Sequence, residues 1–477
     1  MDLATAPIAW LAPRIARGDL SPVEVVAAVL ARIAELDGAL HAYVTLDERG
    51  ALSAAAVAER EIAAGRARGP LHGIPLGVKD NLSVAGMPVT NGSPAMQRTV
   101  AATDATAVSR LRAAGAVILG KHTMHEWAMG GTCTRTPGGP VRNPWDFARI
   151  PGGSSGGSAA AVSAGLAAGA IGTDGMGSIR TPASYCGIVG LKPTYGLVSR
   201  FGELPRTTAW NDHVGALART VADVRLLLAV IAGPDPRDPT SRTAPGTVAA
   251  TGSPPDPRTL RVGLLRTPLD GDIAPAIRAA VDATAGLLGG LGADVVEVSI
   301  PEIGRTGLAM PALANESQAA LLPLALAGPD RFANDDIRAR TLAAELALPA
   351  DRRRAQAVAQ DIRDAIEAAL AFVDVLVLPT NTTAPFPIGA ARWRVGSGES
   401  VALDLPGGQA RVTTRLTMPF NLAGVPVISI PARDLVEGLP VGVQLVGRRW
   451  EDHRLLDIAS LLEAHGAAWR MPPAAGG

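Results

Sequence analysis

The stretch Ser158-Ala-Ala-Ala-Val-Ser-Ala-Gly-Leu-Ala-Ala168-Gly-Ala-Ile-Gly-Thr173 reads as a helix of small residues, Ser158 to Ala168, running into a strand, Ala170 to Thr173. The same alternation precedes it: an apolar run from Ile74 to Val78, a helix near Thr106 to Ala114 and a strand from Ala116 to Leu119. Strands that alternate with helices predict βα units and a largely parallel sheet covered on both faces. Toward the N-terminus, Ser21-Pro22-Val23-Glu24 carries a capping serine, a first-turn proline and a glutamate placed to bond back, so a helix should run to about Asp37. A second helix, Leu52 to about Ala64, stops at Gly65. Beyond a Pro-rich connection from Gly233 to Pro257, further strands are expected at Leu260 to Leu265, Asp294 to Ile300, Val373 to Leu378, Val427 to Ile430 and Val441 to Val446.

These signals predict an α/β fold with one large domain, a wide, mixed, mostly parallel β-sheet and helices on both faces. Residues 1–65 are expected to form an N-terminal helical segment packed on the core. Residues 66–470 should form the α/β domain, with a helical insertion at about 305–372 rich in Ala, Leu and Arg. A length of 477 residues would allow about three domains, but no composition break or fixed-period repeat divides the chain.

Composition narrows the function. Hydrophobic residues make up 47% and charged residues 18%, enough for a large core and too little charge for disorder. Lys plus Arg and Asp plus Glu both number 44, with no long single-sign block, so no nucleic acid or anionic membrane partner is expected. Cys133 and Cys186 are too few for a disulfide framework or a four-ligand zinc site, which suits a reducing cytosol. The start, Met1 to Leu11, lacks a basic leader, and the Ala/Gly stretch from Ala159 to Ile171 falls short of a membrane span. A soluble cytoplasmic protein without a metal is the expectation.

Three familiar motifs are approached and missed. Gly115-Ala-Val-Ile-Leu-Gly120-Lys121 resembles the front of a P-loop, but His122 stands where a Ser or Thr should bind magnesium, so Lys121 reads as an ordinary strand-end residue. His122, His125 and Glu126 lack the zinc-protease spacing and read as solvated or hydrogen-bonded side chains. Gly152-Gly153-Ser154-Ser155-Gly156 matches the nucleophile elbow, yet the turn-rich sequence before it is no strand.

Three other segments are more informative. Gly73 to Asn81 puts Lys79 at the end of an apolar run, where its ammonium would be partly desolvated. Gly152 to Gly157 places two serines among four glycines, and Gly172 to Pro182 sets Ser178 in a glycine loop bracketed by Asp174 and Arg180. A serine needs a base to become a nucleophile, a neutral buried lysine can serve directly or through a second hydroxyl, and glycines let backbone N–H groups approach a reacting carbonyl.

These segments resemble the amidase signature family, whose core runs GGSSGGS, then GTD-x-GGSIR-x-PA, then GLKPT-x-G. The chain reads Gly152-Gly-Ser-Ser-Gly-Gly-Ser158, Gly172-Thr-Asp-Gly-Met-Gly-Ser-Ile-Arg-Thr-Pro-Ala183 and Gly190-Leu-Lys-Pro-Thr-Tyr-Gly196. The interval between Ser154 and Ser178 also matches that between the family's two catalytic serines. Similarity extends through Gly69 to Asn81, Arg142 to Asp146 and Gly438 to Gly447, and covers roughly residues 20–465.

The resemblance implies that Ser178 is the nucleophile, Lys79 the general base and Ser154 the bridging serine, which in that family follows a cis peptide bond. It implies an oxyanion hole among the N–H groups of Gly175, Met176, Gly177 and Ser178, with Ser155, Asp174 and Arg180 in support. Two departures stand out: Met176-Gly177 where Gly-Gly is usual, with Gly175 where a larger residue is common, and Gly215-Ala216 in place of Gly-Pro. A Cβ at position 176 disfavours positive φ and puts a thioether at the catalytic mouth.

The expected activity is hydrolysis of a small-molecule amide through an acyl-enzyme, releasing a carboxylic acid and ammonia or an amine, without metal or organic cofactor. Alternatives are the glutaminase-type component of a glutamyl-tRNA amidotransferase, an acyl-transferring or amide-forming relative, and, from another class, a catalytically silent binding or scaffold protein. Substrate contacts are expected near Trp127 and Met129, where core packing competes as an explanation. Oligomeric state is not readable, and a homodimer stays open.

Overall fold

The structure, a computed structural model, describes residues 2–204, 211–246, 248–267, 269–346, 348–396, 398–403 and 408–473. In chain order its strands are β1 (Tyr43–Leu46), β2 (Pro75–Lys79), β3 (Val117–His122), β4 (Gly169–Thr173), β5 (Val189–Lys192), β6 (Val214–Ala218) and β7 (Arg261–Arg266). They continue with β8 (Asp294–Ser299), β9 (Val375–Pro379), β10 (Arg392–Val395), β11 (Glu399–Ala402), β12 (Val427–Pro431) and β13 (Gly442–Val446). Eleven of them form one sheet in the order β1-β3-β2-β4-β6-β5-β12-β13-β9-β7-β8, and β10 and β11 form a separate hairpin.

The sheet is mixed, as expected, but not mostly parallel. Parallel ladders join β2 to β3 and β4, and β7 to β8 and β9. The remaining ladders, including every one between β4 and β9 across the centre, are antiparallel. Connection type accounts for the division. Helices Thr106–Ala113, Gly156–Ala164 and Pro275–Gly290 cross over between β2 and β3, β3 and β4, and β7 and β8. A turn segment without a helix joins β12 to β13. Strands buried on both faces carry no periodicity that reveals direction, so the sequence could not make this distinction.

Alternate residues of a strand feed two apolar layers. Val117 and Leu119 of β3 pack with Ala159, Ala160 and Ala161, whereas Ile118 joins the larger core with Ile8, Leu11 and Val78. Residues 1–65 supply more than helices: they include an unanticipated helix, Ile8–Ala16, and the edge strand β1. Ser21 Oγ accepts from Val23 N at 3.0 Å, forming the expected cap, but its hydroxyl donates to Glu59 rather than receiving support from Glu24. Between β8 and β9 lie helices Thr306–Ala319, Leu322–Ala327, Asp335–Ala343 and Pro349–Phe372. The Pro-rich stretch 233–257 contains residue 247, which lies outside the described residues. Among the described residues no helix is long and apolar enough to cross a membrane.

The buried helix Gly156–Ala164 accounts for the run of small residues along this part of the chain. A Cβ on Gly157 would stand 2.4 Å from Thr123 O and 2.6 Å from Ala42 O, both rigid backbone atoms. Gly157→Ala is therefore expected to force this helix off β3 and destabilise the fold by about 1–3 kcal/mol. Urea unfolding of the two proteins checks this, and an unchanged midpoint would refute the close approach.

Candidate active site

Because β2 and β4 are parallel neighbours with Val78 opposite Ile171, their carboxyl ends meet, and Lys79 and Thr173 stand there side by side. Open α/β sheets commonly place ligands at such strand ends. Lys79 is fully buried, with Nζ 2.7 Å from Ser154 Oγ, 2.7 Å from Thr173 Oγ1 and 3.3 Å from Thr173 O. Burial pulls its pKa down to about 8, against the opposing pull of Cys133, Glu203, Asp212 and Asp174. Thr173 Oγ1 also accepts from Asn81 Nδ2 at 3.1 Å.

Ser154 lies in the loop before helix Gly156–Ala164, and the Gly153–Ser154 peptide bond is cis. Its carbonyl accepts from His125 N at 3.0 Å and from the Cys133 thiol at 3.3 Å. Ser178 lies between β4 and helix Arg180–Cys186, and Ser155 ties the two serine loops together. Ser155 N donates to Ser178 O at 3.1 Å, and Ser155 Oγ donates to Thr173 O at 3.2 Å. Lys79 and Ser154 are completely buried, whereas Ser178 is 7% exposed. Lys79 and Ser154 are thus hydrogen-bonded and Ser178 is held alongside, its hydroxyl making no hydrogen bond among the described residues.

The expected set of oxyanion donors needs one correction. Gly177 N donates to Asp174 Oδ1 at 2.7 Å and is therefore spoken for. The N–H groups of Gly175, Met176 and Ser178 have no protein acceptor among the described residues. Gly177 has φ +116°, and a Cβ there would stand 2.1 Å from Thr417 Oγ1. Met176 is not among the residues with positive φ, so its side chain imposes no left-handed strain; it is half-buried against the main core.

Asp174 and Arg180 brace this loop from within. Both are completely buried. Asp174 accepts from the backbone N–H of Gly177 and Ile179, from Arg180 Nε and Nη2 at 3.0 Å each, and from Asn421 Nδ2 at 2.9 Å. Burial alone would raise its pKa, but the Arg180 guanidinium and these donors hold the carboxyl well below the usual range. Arg180 continues to Thr417 O, Gln444 Oε1 and Asn421 Oδ1, linking the loop to the C-terminal part of the sheet. Sequence reading singled out none of Thr173, Asn81, Thr417, Asn421 or Gln444. The available signal was a polar residue inside a strand buried throughout, as Gln444 is in β13.

The remaining candidates have other roles. Trp127 is only 3% exposed and packs with Leu321, Ala325, Phe332 and Ile337, the core packing that competes with a substrate contact. Met129 flanks the same cluster and is half-buried. Lys121 is no ordinary strand end: it is fully buried, with Nζ 3.1 Å from Asp80 Oδ1. His122 and His125 are buried rather than solvated, with Nδ1 of each in a hydrogen bond, to Ser158 Oγ and from Cys133 N. Burial lowers their pKa values to about 3 and about 4. His213 bonds Asn211 O and Lys192 behind the loop that carries Ser178.

The Amidase family profile matches residues 24–456. The chain belongs to the amidase signature family. It is 41% identical to the A subunit of the Glutamyl-tRNA(Gln) amidotransferase of Acidothermus cellulolyticus, over 97% of this chain and 95% of that protein. Its fold superposes on the peptide amidase of Stenotrophomonas maltophilia with a TM-score of 0.84 and 35% identity, covering 98% of each chain. The corresponding Glutamyl-tRNA(Gln) amidotransferase component of Thermotoga maritima gives a TM-score of 0.80 at 30% identity, covering 99% of this chain and 98% of that one. As a member of this family the chain is an enzyme of carbon–nitrogen amide bonds. Since the Asp174–Arg180 pair is buried, Asp174→Ala leaves a guanidinium uncompensated and is expected to destabilise the protein by about 3–5 kcal/mol. Chemical denaturation measures this, and a loss below about 1 kcal/mol would show that the pair does not brace the loop.

Proposed function

We propose that this chain hydrolyses carboxamides through an acyl-enzyme on Ser178, with Lys79 as general base and Ser154 as the relay between them. The observation that carries this reading is the buried amine of Lys79, 2.7 Å from Ser154 Oγ and without a carboxylate ion pair among the described residues. A neutral amine has two N–H donors and one lone pair. With Thr173 Oγ1 and Thr173 O taking the donors, the lone pair faces the Ser154 hydroxyl. Thr173 thereby orients the base.

In the proposed reaction the Ser178 hydroxyl turns onto Ser154. Lys79 takes the Ser154 proton as Ser154 takes that of Ser178, and Ser178 Oγ attacks the carbonyl carbon. The N–H groups of Gly175, Met176 and Ser178 are the donors available for the developing oxyanion. The proton returns through Ser154 to the leaving nitrogen, the C–N bond breaks, and water attacks the acyl-enzyme by the same relay to release the acid. Every step uses this chain's own side chains and backbone.

A second reading is favoured by the 41% identity to an amidotransferase component: the same hydrolysis would then release ammonia from glutamine for a partner protein. Purified protein that turns over simple amides alone supports the free-standing enzyme, whereas turnover only with a partner supports the amidotransferase reading.

Ser178→Ala is expected to abolish turnover and fluorophosphonate labelling of the Ser178 peptide, and Lys79→Ala to slow turnover by several orders of magnitude. Native rates in either variant would remove its assignment. Because Lys79 must be neutral to accept a proton, and burial sets its pKa at about 8, kcat/KM should climb tenfold per pH unit below that value and level off above it. A profile flat from pH 6 to 9 would exclude Lys79 as the base.

A further inference from the structure

We propose that Glu126 is a positioning residue for turnover: its buried carboxylate clamps the helical insertion onto the loop that holds Ser154, so the relay serine keeps its place only while the insertion is docked. This rests on the amide-hydrolysis reading and deepens it.

On one side the carboxylate holds the insertion. Glu126 is completely buried, not solvated as its sequence neighbourhood suggests. Its Oε1 and Oε2 each accept from Ala333 N at 3.0 Å, and Oε2 also accepts from Asn334 N at 2.8 Å and from Asn334 Nδ2 at 2.9 Å. These donors lie 207 and 208 positions further along the chain, in the turn that enters helix Asp335–Ala343. Asn334 stands at the N-cap of that helix, yet its side chain makes no capping bond. It turns its amide to Glu126 and to Arg135 O, at 3.2 Å from the latter. Around the clamp, Arg340 Nη2 donates to Met129 O at 2.7 Å, and Trp127 packs on Phe332 and Ile337. Every hydrogen bond to the Glu126 carboxylate among the described residues thus comes from the insertion, which supplies the donors a buried charge requires.

On the other side the same loop holds the relay. His125 N donates to Ser154 O at 3.0 Å, and the Cys133 thiol reaches that oxygen at 3.3 Å. Cys133 N donates to His125 Nδ1 at 3.2 Å, closing the loop on itself. Between these two residues the loop lies against Gly153, where a Cβ would stand 2.9 Å from Gly130 O and 3.0 Å from Thr132 N. Consecutive residues therefore carry the two tasks: the backbone of His125 fixes Ser154, and the side chain of Glu126 fixes the insertion. The charges of Asp336 and Arg340 on the insertion helix act on His125, as does that of Lys79, so insertion and base lie within electrostatic reach of one side chain. Displacing a positioned group by about 1 Å can cost about a hundredfold in rate. The hydrogen bond most exposed to such a shift is the one of 2.7 Å between Lys79 Nζ and Ser154 Oγ.

Butanamide turnover and the rate of fluorophosphonate labelling at Ser178 test this for the native enzyme, Glu126→Gln, Asn334→Ala and the double variant, with urea midpoints reporting the fold. Glu126→Gln turns an amide NH2 toward the insertion's own donors. It is expected to lower kcat and the labelling rate by about tenfold or more while KM stays within about twofold. Asn334→Ala, which removes bonds from the insertion side alone, should lower kcat about threefold or more. The double variant should lose no more than Glu126→Gln, because both substitutions act through one contact. Native kcat in folded Glu126→Gln, a change confined to KM, or losses that multiply in the double variant overturn the positioning role. Where Glu126→Gln fails to fold, Asn334→Ala decides, and native kcat there overturns it. Native enzyme that turns over amides as fast as both folded variants refutes the clamp and leaves hydrolysis standing, whereas native enzyme that neither labels nor turns over refutes both.

Discussion

A lysine amine held out of water among uncharged oxygens is the constraint on which this site depends. Desolvation disfavours the ammonium, and a carboxylate in contact would restore it. Lys79 is spared that contact even though an aspartate follows it in sequence. Asp80 is bound instead by Lys121 at 3.1 Å, by Thr90 N at 3.0 Å and by the Thr90 hydroxyl. Two lysines near the carboxyl ends of adjacent parallel strands thus stand in opposite circumstances: Lys121 binds the nearby carboxylate, and Lys79 is left to bond Ser154 and Thr173. The sheet matters to the chemistry because the pairing of β2 with β3 and β4 brings these groups to one edge.

The loop that carries Ser178 obeys the reverse rule, since it holds a full ion pair in the interior. Such a pair is tolerable only when its remaining valences are filled. Asp174 spends its oxygens on loop N–H groups and Asn421, and Arg180 spends its donors on Thr417, Gln444 and Asn421. The loop is therefore shaped by residues more than 230 positions further along the chain. This explains why the resemblance extends to Gly438–Gly447: Gln444 sits inside that motif. The N–H of Gly177 is itself part of this brace.

Much of the fold was legible because buried strands announce themselves as apolar runs, as β9, β12 and β13 do. Strand β5 escaped because it ends on Lys192, whose charge hides a fully buried position, and β6 because its Gly and Ala residues, in Val214–Ala218, give only a weak apolar run. Strand direction was illegible for a different reason: with apolar layers on both faces, neither parallel nor antiparallel pairing leaves a periodic mark. Within the site, Lys79, Ser154 and Ser178 stood out through their glycine-rich surroundings and the family resemblance. Thr173 did not, because a threonine ending a strand is what β-propensity alone would place there. Glu203 and Asp212, whose charges act on Lys79, lie far from it in sequence and are positioned by the Leu82–Glu203 bridge and the approach to Gly175. No local pattern encodes such a juxtaposition.

The acid pair and the base also belong to one electrostatic problem. Negative charge on Glu203 and Asp212 favours the ammonium form of Lys79, against the burial that disfavours it. The Arg200 guanidinium, drawn to both carboxyls, takes up part of that negative charge. Burial together with Asp212 pushes the Glu203 carboxyl up to about 8, which reduces it further. Desolvation therefore prevails at Lys79, and the amine titrates near 8 instead of in the ordinary lysine range. The acids that would keep the lysine charged are thus restrained by the same interior that strips the lysine of water.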